Sequence, residues 1–261
     1  MRKCIGERGV ENACVMASLD NADARLGTEQ GSRRNGLSIF PLFRSLDAAD
    51  LTGMEARCIH RRCKRNDWIV EVNETNDDVF FIQSGVVRLQ SPKVGTREVV
   101  FQDLQAQDFF GGVSAFHHQP RQLSALAVTD VAVIVMPGSL FKDALHDHPD
   151  VCDQFIERMA EEIRYLFNRV NEFSTLDVRH RIYAELMRLS RPKMGSGHGA
   201  VISPPPRQAD IAARIGTRRE PVVREMKALE RAGLLRRSRG ALEIIDLHRL
   251  QDLIENAETV G

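Results

Sequence analysis

The chain has 261 residues, 43% of them hydrophobic, which is enough for two domains that each bury a core. Its 36 basic and 36 acidic residues cancel, so attraction to a polyanion has to come from local segregation of charge. No apolar run approaches a membrane span, and the N-terminus lacks the apolar block of a signal peptide, so a cytoplasmic protein is predicted. The cysteine count of five is odd, and a disulfide framework is not expected in an intracellular chain of this size.

The N-terminal segment 1–36 is polar, mixed in charge and without sustained periodicity, which is typical of a disordered extension. Met16 lies within it and is an alternative native start. Ordered structure is expected from Leu37, where the run IFPLFRSL is predicted to dock as a short helix.

A redox or metal pair is one interpretation of Cys58 and Cys63, which flank His60 in the run RCIHRRCKR. A strand would place the two thiols on opposite faces and no second ligand pair is visible, so no metal site is predicted. His117 and His118 are chain neighbours, which places them poorly for sharing one metal and favours a role in a loop.

Short β-branched or aromatic runs, separated by Gly, Asp, Asn and Pro, extend from Arg57 to Met136. The run SPKVGTRE supplies a hairpin turn between two of them. Many short antiparallel strands at this spacing predict a jelly-roll barrel. The predicted strands are Trp68–Val72, Val79–Ser84, Val86–Gln90, Glu98–Leu104, Leu123–Val128 and Val131–Met136.

The strongest periodic signal is a heptad seam, in which apolar residues recur at alternating spacings of four and three from Cys152 to Phe173. β-Branched residues at the a positions with Leu-like residues at d favour a parallel two-stranded coil, so a homodimer is predicted. A single amphipathic surface helix is the alternative. The predicted dimer interface consists of Ile156, Met159, Ile163, Leu166, Val170 and Phe173.

Between Pro206 and Gly240 the sequence indicates two short helices around a glycine turn, followed by a basic hairpin. Gly216 permits the sharp turn. The predicted buried faces are Ile211, Ala212 and Ile215 in the first helix, and Val222, Val223, Met226 and Leu229 in the second.

The outward face of the second helix carries Arg219, Glu220 and Arg224, with Lys227 one turn further on. Arg can bridge guanine O6 and N7 and Glu can accept from cytosine N4, so the first three match consecutive G·C pairs. From Arg207 to Arg239 there are ten Lys or Arg and four Asp or Glu, an excess of six positive charges that indicates a polyanionic partner. A solvated amphipathic helical hairpin is the alternative.

Two runs carry a resemblance to the Crp/Fnr superfamily of bacterial transcription regulators. The family's recognition helix and wing resemble GTRREPVVREMKALERAGLLRRSRG, and the segment that joins its dimer helix to its DNA-binding domain is similar to LDVRHRIYAELMRLS. The resemblance covers about residues 37 to 248. It implies an α+β chain with an N-terminal antiparallel β jelly-roll of the cyclic-nucleotide-binding type (37–148), a long dimerisation helix (149–175), a C-terminal winged helix-turn-helix (176–250) and a tail (251–261).

By that match Arg219, Glu220 and Arg224 fall on the base-reading positions, which implies a palindromic site with TGTGA-like half-sites. Pro221 departs from the family, which often carries a hydroxyl there. Because proline disfavours α geometry in the preceding residue, the helix is expected to begin at Pro221 with Arg219 and Glu220 in the turn. The residues assigned to DNA phosphates are Arg207, Gln208, Thr217, Arg218, Lys227, Arg237 and Ser238.

The effector pocket departs further from the nucleotide-binding members. Val113 stands where they carry a Glu for the ribose hydroxyl, and Leu123 where they carry an Arg for the cyclic phosphate, so ordinary cyclic AMP control is not expected. Arg121 is either a displaced phosphate contact or a solvated loop arginine, and the apolar positions either hold another small, hydrophobic ligand or form filled core. The pocket positions are Gly112, Val113, Ser114, Arg121, Leu123, Ser124, Leu166 and Phe167.

The predicted function is sequence-specific regulation of transcription by a homodimer on palindromic double-stranded DNA. RNA polymerase is a further candidate partner, although no residue pattern identifies a surface for it. Thr175 to Asp177 is expected to form a hinge, with Asp177 capping the following helix. The alternative is a small-molecule sensor module whose basic C-terminal domain contacts a protein. A metal-assisted enzyme is not expected, because nucleophile-elbow, phosphate-loop and HExxH motifs are missing and only isolated histidines such as His60 remain.

Overall fold

The computed structural model describes residues 36–92, 99–117, 119–192 and 199–258. The predictions for residues 1–35, for His118 and for most of the SPKVGTRE turn lie outside the described residues. The chain divides into two compact units, of which the first comprises residues up to Leu89 together with Asp103–Phe155, and the second Gln90–Gln102 together with the residues from Ile156 on.

Eight strands form two four-stranded sheets, with strand orders β1-β8-β3-β6 and β2-β7-β4-β5. The registers β1 with β8, β3 with β8, β3 with β6 and β2 with β7 are antiparallel. This arrangement confirms the predicted antiparallel jelly roll. The elements of this part are α1 (Ala48–Glu55), β1 (Ile59–Cys63), β2 (Trp68–Val70), β3 (Val79–Ser84), β4 (Val87–Gln90), β5 (Val100–Leu104), β6 (Phe109–Phe110), α2 (Gly112–His117), β7 (Ser124–Ala127), β8 (Val131–Met136) and α3 (Gly138–Asp147).

Two of the six predicted strands, β3 and β8, have the predicted bounds, and within the described residues the other four are shorter by one or two residues. The sequence analysis missed β1 because its residues IHRRC are mostly exposed and basic, without apolar alternation. Backbone pairing with β8 defines this strand, from Ile59 opposite Val135 to Cys63 opposite Val131. The two-residue β6 is too short for any periodicity to appear.

Aromatic rings fill one end of the jelly roll. Two 3₁₀ turns, Leu37–Ile39 and Pro41–Phe43, place Phe40 and Phe43 with their ring centroids 5.1 and 5.2 Å from that of Phe81. The docking predicted from Leu37 onward is therefore confirmed, as two 3₁₀ turns rather than one helix. Phe155 closes the same cluster, 5.3 Å from Phe141.

Helix α4 (Pro149–Thr175) has 27 residues and is about 40 Å long at 1.5 Å per residue. Two residues separate it from α5 (Val178–Leu189). Asp177 caps α5, as predicted, because its Oδ1 accepts a 2.9 Å hydrogen bond from the backbone N–H of His180.

The C-terminal part contains three further helices and a small antiparallel sheet with strand order β11-β12-β10-β9. Strands β11 and β12 form the predicted basic hairpin, with Arg237 opposite Leu242. Tyr183 and Leu186 of α5 belong to the fully buried core of this unit. The elements are β9 (Arg191–Pro192), β10 (Ala200–Ile202), α6 (Gln208–Arg214), α7 (Arg219–Arg231), β11 (Leu235–Ser238), β12 (Ala241–Ile244) and α8 (Leu247–Glu258).

Helix α8 crosses the expected boundary between residues 250 and 251. Leu250 is fully buried, and Leu253 and Ile254 pack against the same core. The prediction of a tail beginning at 251 is therefore wrong as far as residue 258, because this apolar stripe holds the helix onto the domain.

Candidate nucleic-acid interface

The turn between α6 and α7 depends on Gly216. Its φ is +65°, a left-handed conformation that side chains with a Cβ rarely adopt, and a Cβ there would lie 3.3 Å from Cε1 of Phe173. The next residue closes the turn, since the N–H of Thr217 donates to the carbonyl of Ala212 at 2.9 Å. Ile211 and Ile215 are fully buried, as the sequence predicts for α6.

Helix α7 begins two residues earlier than expected. Arg218 is its extended N-cap, and Arg219 and Glu220 already belong to the helix, so the prediction of a start at Pro221 is wrong. Pro221 is the third helical residue, and an N–H at that position would have no acceptor inside the helix. Proline therefore costs little here, and Arg219 and Glu220 have helical rather than turn geometry.

The buried stripe of α7 is narrower than predicted. Val222, Met226 and Leu229 face the core, whereas Val223 is only half-buried. Successive residues of a helix point about 100° apart, so a stripe centred on 222, 226 and 229 leaves the following position at its edge. Val223 instead lines a surface groove together with Arg219, Glu220, Arg224, Lys227, Glu230 and Arg231.

The charged groups of this groove face solvent. Among the described residues, the side chains of Arg219, Glu220, Arg224 and Lys227 have no ion-pair or side-chain hydrogen-bond partner, and all four are exposed. The carboxylate of Glu230 is paired with Arg237, whose Nε donates a 2.7 Å hydrogen bond to Oε1. The groove is therefore lined by an excess of positive charge.

Of the predicted phosphate contacts, only Lys227 is among the described residues that line this groove. Arg207 is the N-cap of α6 and Gln208 its first residue, and Thr217 and Arg218 form the link to α7. Arg237 and Ser238 lie on β11. The ion pair between Arg237 and Glu230 connects the hairpin of β11 and β12 to α7.

A buried ion network that sequence reasoning missed lies behind the two helices. Glu185 of α5 is 1% exposed and pairs with three arginines: Arg169 at 3.3 Å, Arg214 at 3.7 Å and Arg188. Arg169 also donates to the carbonyl of Arg214 at the end of α6. Arg214 therefore belongs to the interior, and its charge does not contribute to the surface excess counted from the sequence.

Phe173, predicted in the dimer seam, contacts the glycine turn of its own chain. Its ring lies under the guanidinium carbons of Arg169 and Arg181, at 5.0 and 5.3 Å from the centroid. Arg181 also donates from Nη1 to the carbonyl of Ile215 at 3.1 Å. The C-terminal end of α4 is thus in direct contact with the turn that orients α7.

Arg121, one of the predicted effector positions, is held inside the jelly roll by protein partners. Arg121 is 6% exposed, so the prediction of a solvated loop arginine is wrong. One terminal nitrogen donates both to Oδ1 of Asn76 at 2.6 Å and to the carbonyl of Asp78 at 2.5 Å. Burial lowers the pKa of Arg121, and the neighbouring carboxylates of Asp78 and Glu74 oppose that shift.

The other effector positions are divided between α2, β7 and α4. Gly112, Val113 and Ser114 open α2, Leu123 is half-buried, and the hydroxyl of Ser124 accepts from the N–H of Val72 at 2.9 Å. Three of the four apolar positions are exposed in the single chain. These are Val113 (62%), Leu166 (41%) and Phe167 (70%).

The cysteines and histidines form no group that could hold a metal ion within the described ranges. Cys58 donates its thiol to the carbonyl of Met54 at 3.2 Å, and burial, with a contribution from Glu55, raises its pKa to about 11. The thiolate that a metal needs is therefore disfavoured. None of the described helices is long and apolar enough to cross a membrane.

Two family models match the chain. The cyclic nucleotide-binding domain matches residues 60–148, and the Crp-like helix-turn-helix domain matches residues 180–253. The chain belongs to the Crp/Fnr family of transcription regulators. Members of this family bind DNA through the helix-turn-helix, are typically dimeric and are not enzymes. In this Crp/Fnr regulator α7 is the recognition helix and β11 with β12 is the wing.

Named relatives are distant but cover most of the chain. The CRP-like cAMP-activated global transcriptional regulator of Mycobacterium tuberculosis is 25% identical over 188 residues, which are 71% of this Crp/Fnr regulator and 84% of that protein. A mutant of CooA from Carboxydothermus hydrogenoformans superposes with a TM-score of 0.70 at 18% identity, covering 84% of this chain and 95% of its own. The c-di-GMP responsive regulator CLP of Xanthomonas campestris gives 0.65 at 18%, covering 76% and 99%. These two structures are similar in fold.

Proposed function

We propose that this Crp/Fnr regulator binds palindromic promoter DNA as a homodimer, with Arg219, Glu220 and Arg224 reading base edges in each half-site. The observation that carries this proposal is the exposed face of α7, where the described structure offers these three side chains no internal partner. An exposed positive face on a recognition helix is the electrostatic pattern of a DNA-binding surface.

The chemistry of the three side chains fits G·C pairs. A guanidinium donates in a fork to guanine O6 and N7, and a carboxylate accepts from the N4 amine of cytosine. Arg219, Glu220 and Arg224 lie at i, i+1 and i+5 of α7, within about one and a half turns of the same helix face. A TGTGA-like half-site supplies two such pairs, with one T·A pair between them.

Phosphate contacts would come from the ends of the two helices and from the wing. Arg207, Gln208, Thr217 and Arg218 lie at the helix starts, with Arg237 and Ser238 on β11. Because phosphate neutralisation releases counterions, the logarithm of the binding constant should fall steeply and linearly with the logarithm of salt concentration.

Helix α4 supports dimerisation. Ile156, Ile163 and Val170, at the a positions of the seam, are each more than half exposed in the single chain. An apolar stripe of this length on a monomer is an interaction surface rather than an ordinary solvated face. A two-fold dimer through it would offer two recognition helices to half-sites about 34 Å apart.

Ordinary cyclic AMP is not the proposed effector. The cAMP-activated relative from Mycobacterium tuberculosis makes cyclic AMP the first ligand to consider. Val113 and Leu123 supply no partner for a ribose hydroxyl or a cyclic phosphate, and Arg121 already donates to Asn76 and Asp78. Leaving the phosphate unpaired costs about a thousandfold in affinity, so calorimetry should detect no micromolar binding of cyclic AMP or cyclic GMP. Another small ligand remains compatible with these positions.

Selection of bound duplexes from a random pool tests the proposed function. A symmetric consensus bound with a steep salt dependence supports it. An asymmetric or missing consensus, or binding that does not respond to salt, would contradict it and favour a sensor module whose basic domain contacts a protein.

A further inference from the structure

Val223 occupies an unusual place on the recognition helix. Of the seven residues that line the groove along α7, the other six are charged and Val223 alone is apolar. It does not belong to the buried stripe of α7, which consists of Val222, Met226 and Leu229. Val223 is thus a half-exposed apolar side chain in the middle of a charged face.

Its position lies among the proposed base-reading side chains. Val223 follows Arg219 by four residues and Glu220 by three, which places all three on one helix face, and it directly precedes Arg224. Any base edge that Arg219 and Arg224 reach from two sides would lie in front of Val223.

We propose that Val223 contacts the C5-methyl group of one thymine in each half-site and so adds a thymine requirement to the G·C contacts of its neighbours. The inference rests on the proposed DNA-binding function. A valine side chain offers no hydrogen bond, and in the major groove thymine alone presents an apolar group.

The same contact selects against cytosine. Cytosine presents an N4 amine toward the major groove, and burying this donor against valine methyls would leave it without a partner. Valine is also stiff in a helix, where one χ1 rotamer dominates, so its methyl groups are held in place before DNA arrives.

Single deoxyuridine substitutions provide the test, because uracil differs from thymine only by the missing methyl group. On the consensus obtained by selection, each thymine is replaced in turn and the dissociation constant of the full-length protein is measured. At one position of the half-site, replacing thymine by uracil should weaken binding about fourfold, the equivalent of one buried methyl group. Replacing the thymine at that position in both half-sites should weaken binding about 15-fold.

The Val223→Ala variant should bind the thymine and uracil duplexes equally. Its folding is checked by circular dichroism, and alanine is a better helix former than valine, so the helix should persist. Lys227→Ala is the matched control on the same face. It should weaken binding to all duplexes while keeping the discrimination between thymine and uracil.

Three results would overturn the inference: no uracil-sensitive position, a consensus without thymine in the half-site, or unchanged uracil sensitivity in Val223→Ala. In each of these cases a symmetric consensus still exists, so the proposed function stands and the thymine contact alone fails. If selection returns no symmetric consensus, the DNA-binding function fails and the contact fails with it.

Discussion

Under the proposed function, some side chains of α7 read bases and others contact only phosphates. Arg224 is exposed and has no partner in the described chain, so its replacement by alanine should leave the fold intact. We expect Arg224→Ala to lose roughly 1 to 3 kcal/mol on the consensus and to relax the preference for G·C at one position. Competition binding against single-base variants of the site measures both effects.

Lys227→Ala serves as the comparison for that experiment. As a phosphate contact, Lys227 should contribute equally on every sequence, and its loss should reduce the salt slope by about one. If Arg224→Ala showed the same uniform loss, Arg224 would be a phosphate contact and its assignment as a base-reading residue would be wrong.

Glu185 is the buried carboxylate that pairs with three arginines inside the DNA-binding unit. Glu185→Gln preserves the volume but removes the carboxylate that Arg169, Arg188 and Arg214 share, and Glu172 then remains as a partner for Arg169 and Arg188 only. Removing one partner of a buried ion network should lower the free energy of unfolding by about 3 kcal/mol, measured by urea denaturation. Glu161→Gln is the matched control, since its pair with Arg158 is 73% exposed on the Glu side and should cost well under 1 kcal/mol. Equal effects of the two variants would contradict a structural role for the network.

Among the elements, the turn between α6 and α7 restricts Gly216 in two ways, through its left-handed backbone and through the neighbouring ring of Phe173. Gly216→Ala should destabilise the protein by more than the cost of a left-handed alanine, roughly 1 to 2 kcal/mol, because the new Cβ would also crowd Phe173. Gly233→Ala is a close control, since φ there is +71° but a Cβ would meet nothing within 4 Å.

The two glycine variants should therefore differ in thermal stability and in affinity for DNA. Only Gly216→Ala should displace α7 and lower affinity for the consensus, because only that turn orients the recognition helix. If Gly233→Ala lowers the affinity as much, the contact with Phe173 has no special importance.

The sequence predicted elements well where a period was long and the pattern was local. The long helix α4, the strands β3 and β8 and the glycine turn are all visible in the residues alone. Features that depend on partners far along the chain were missed or misassigned. Strand β1 exists through pairing with β8, Arg121 is buried by Asn76 and Asp78, and Glu185 collects arginines from three helices.

Val223 shows a different limit of sequence reasoning. An apolar residue beside Val222 reads as part of the core, and only the observed rotation of α7 shows that it faces the groove. The prediction that α7 begins at Pro221 failed for a similar reason. Proline disfavours helical geometry in the residue before it, but the first turn of a helix tolerates proline, and α7 begins at Arg219. Tertiary packing decided both positions.

For the whole molecule, the proposed dimerisation through α4 would link the two recognition helices. Ile163→Asp places a charge at the centre of the exposed seam and should convert the dimer into a monomer in sedimentation velocity. Arg164→Asp introduces the same side chain one residue on, outside the a and d positions, and should remain dimeric. A monomeric Arg164→Asp, or a dimeric Ile163→Asp, would contradict the proposed seam.

We propose that two identical subunits present matched helices to successive major grooves on one face of a duplex. Equilibrium titration of the consensus palindrome, compared with the same palindrome carrying five extra base pairs between its half-sites, tests this most directly. The insertion rotates one half-site by about half a turn. We predict two chains per palindrome and a loss of affinity of about 100-fold or more on the inserted site, down to that of a single half-site. Equal affinity for the two duplexes, or one chain per palindrome, would contradict the account.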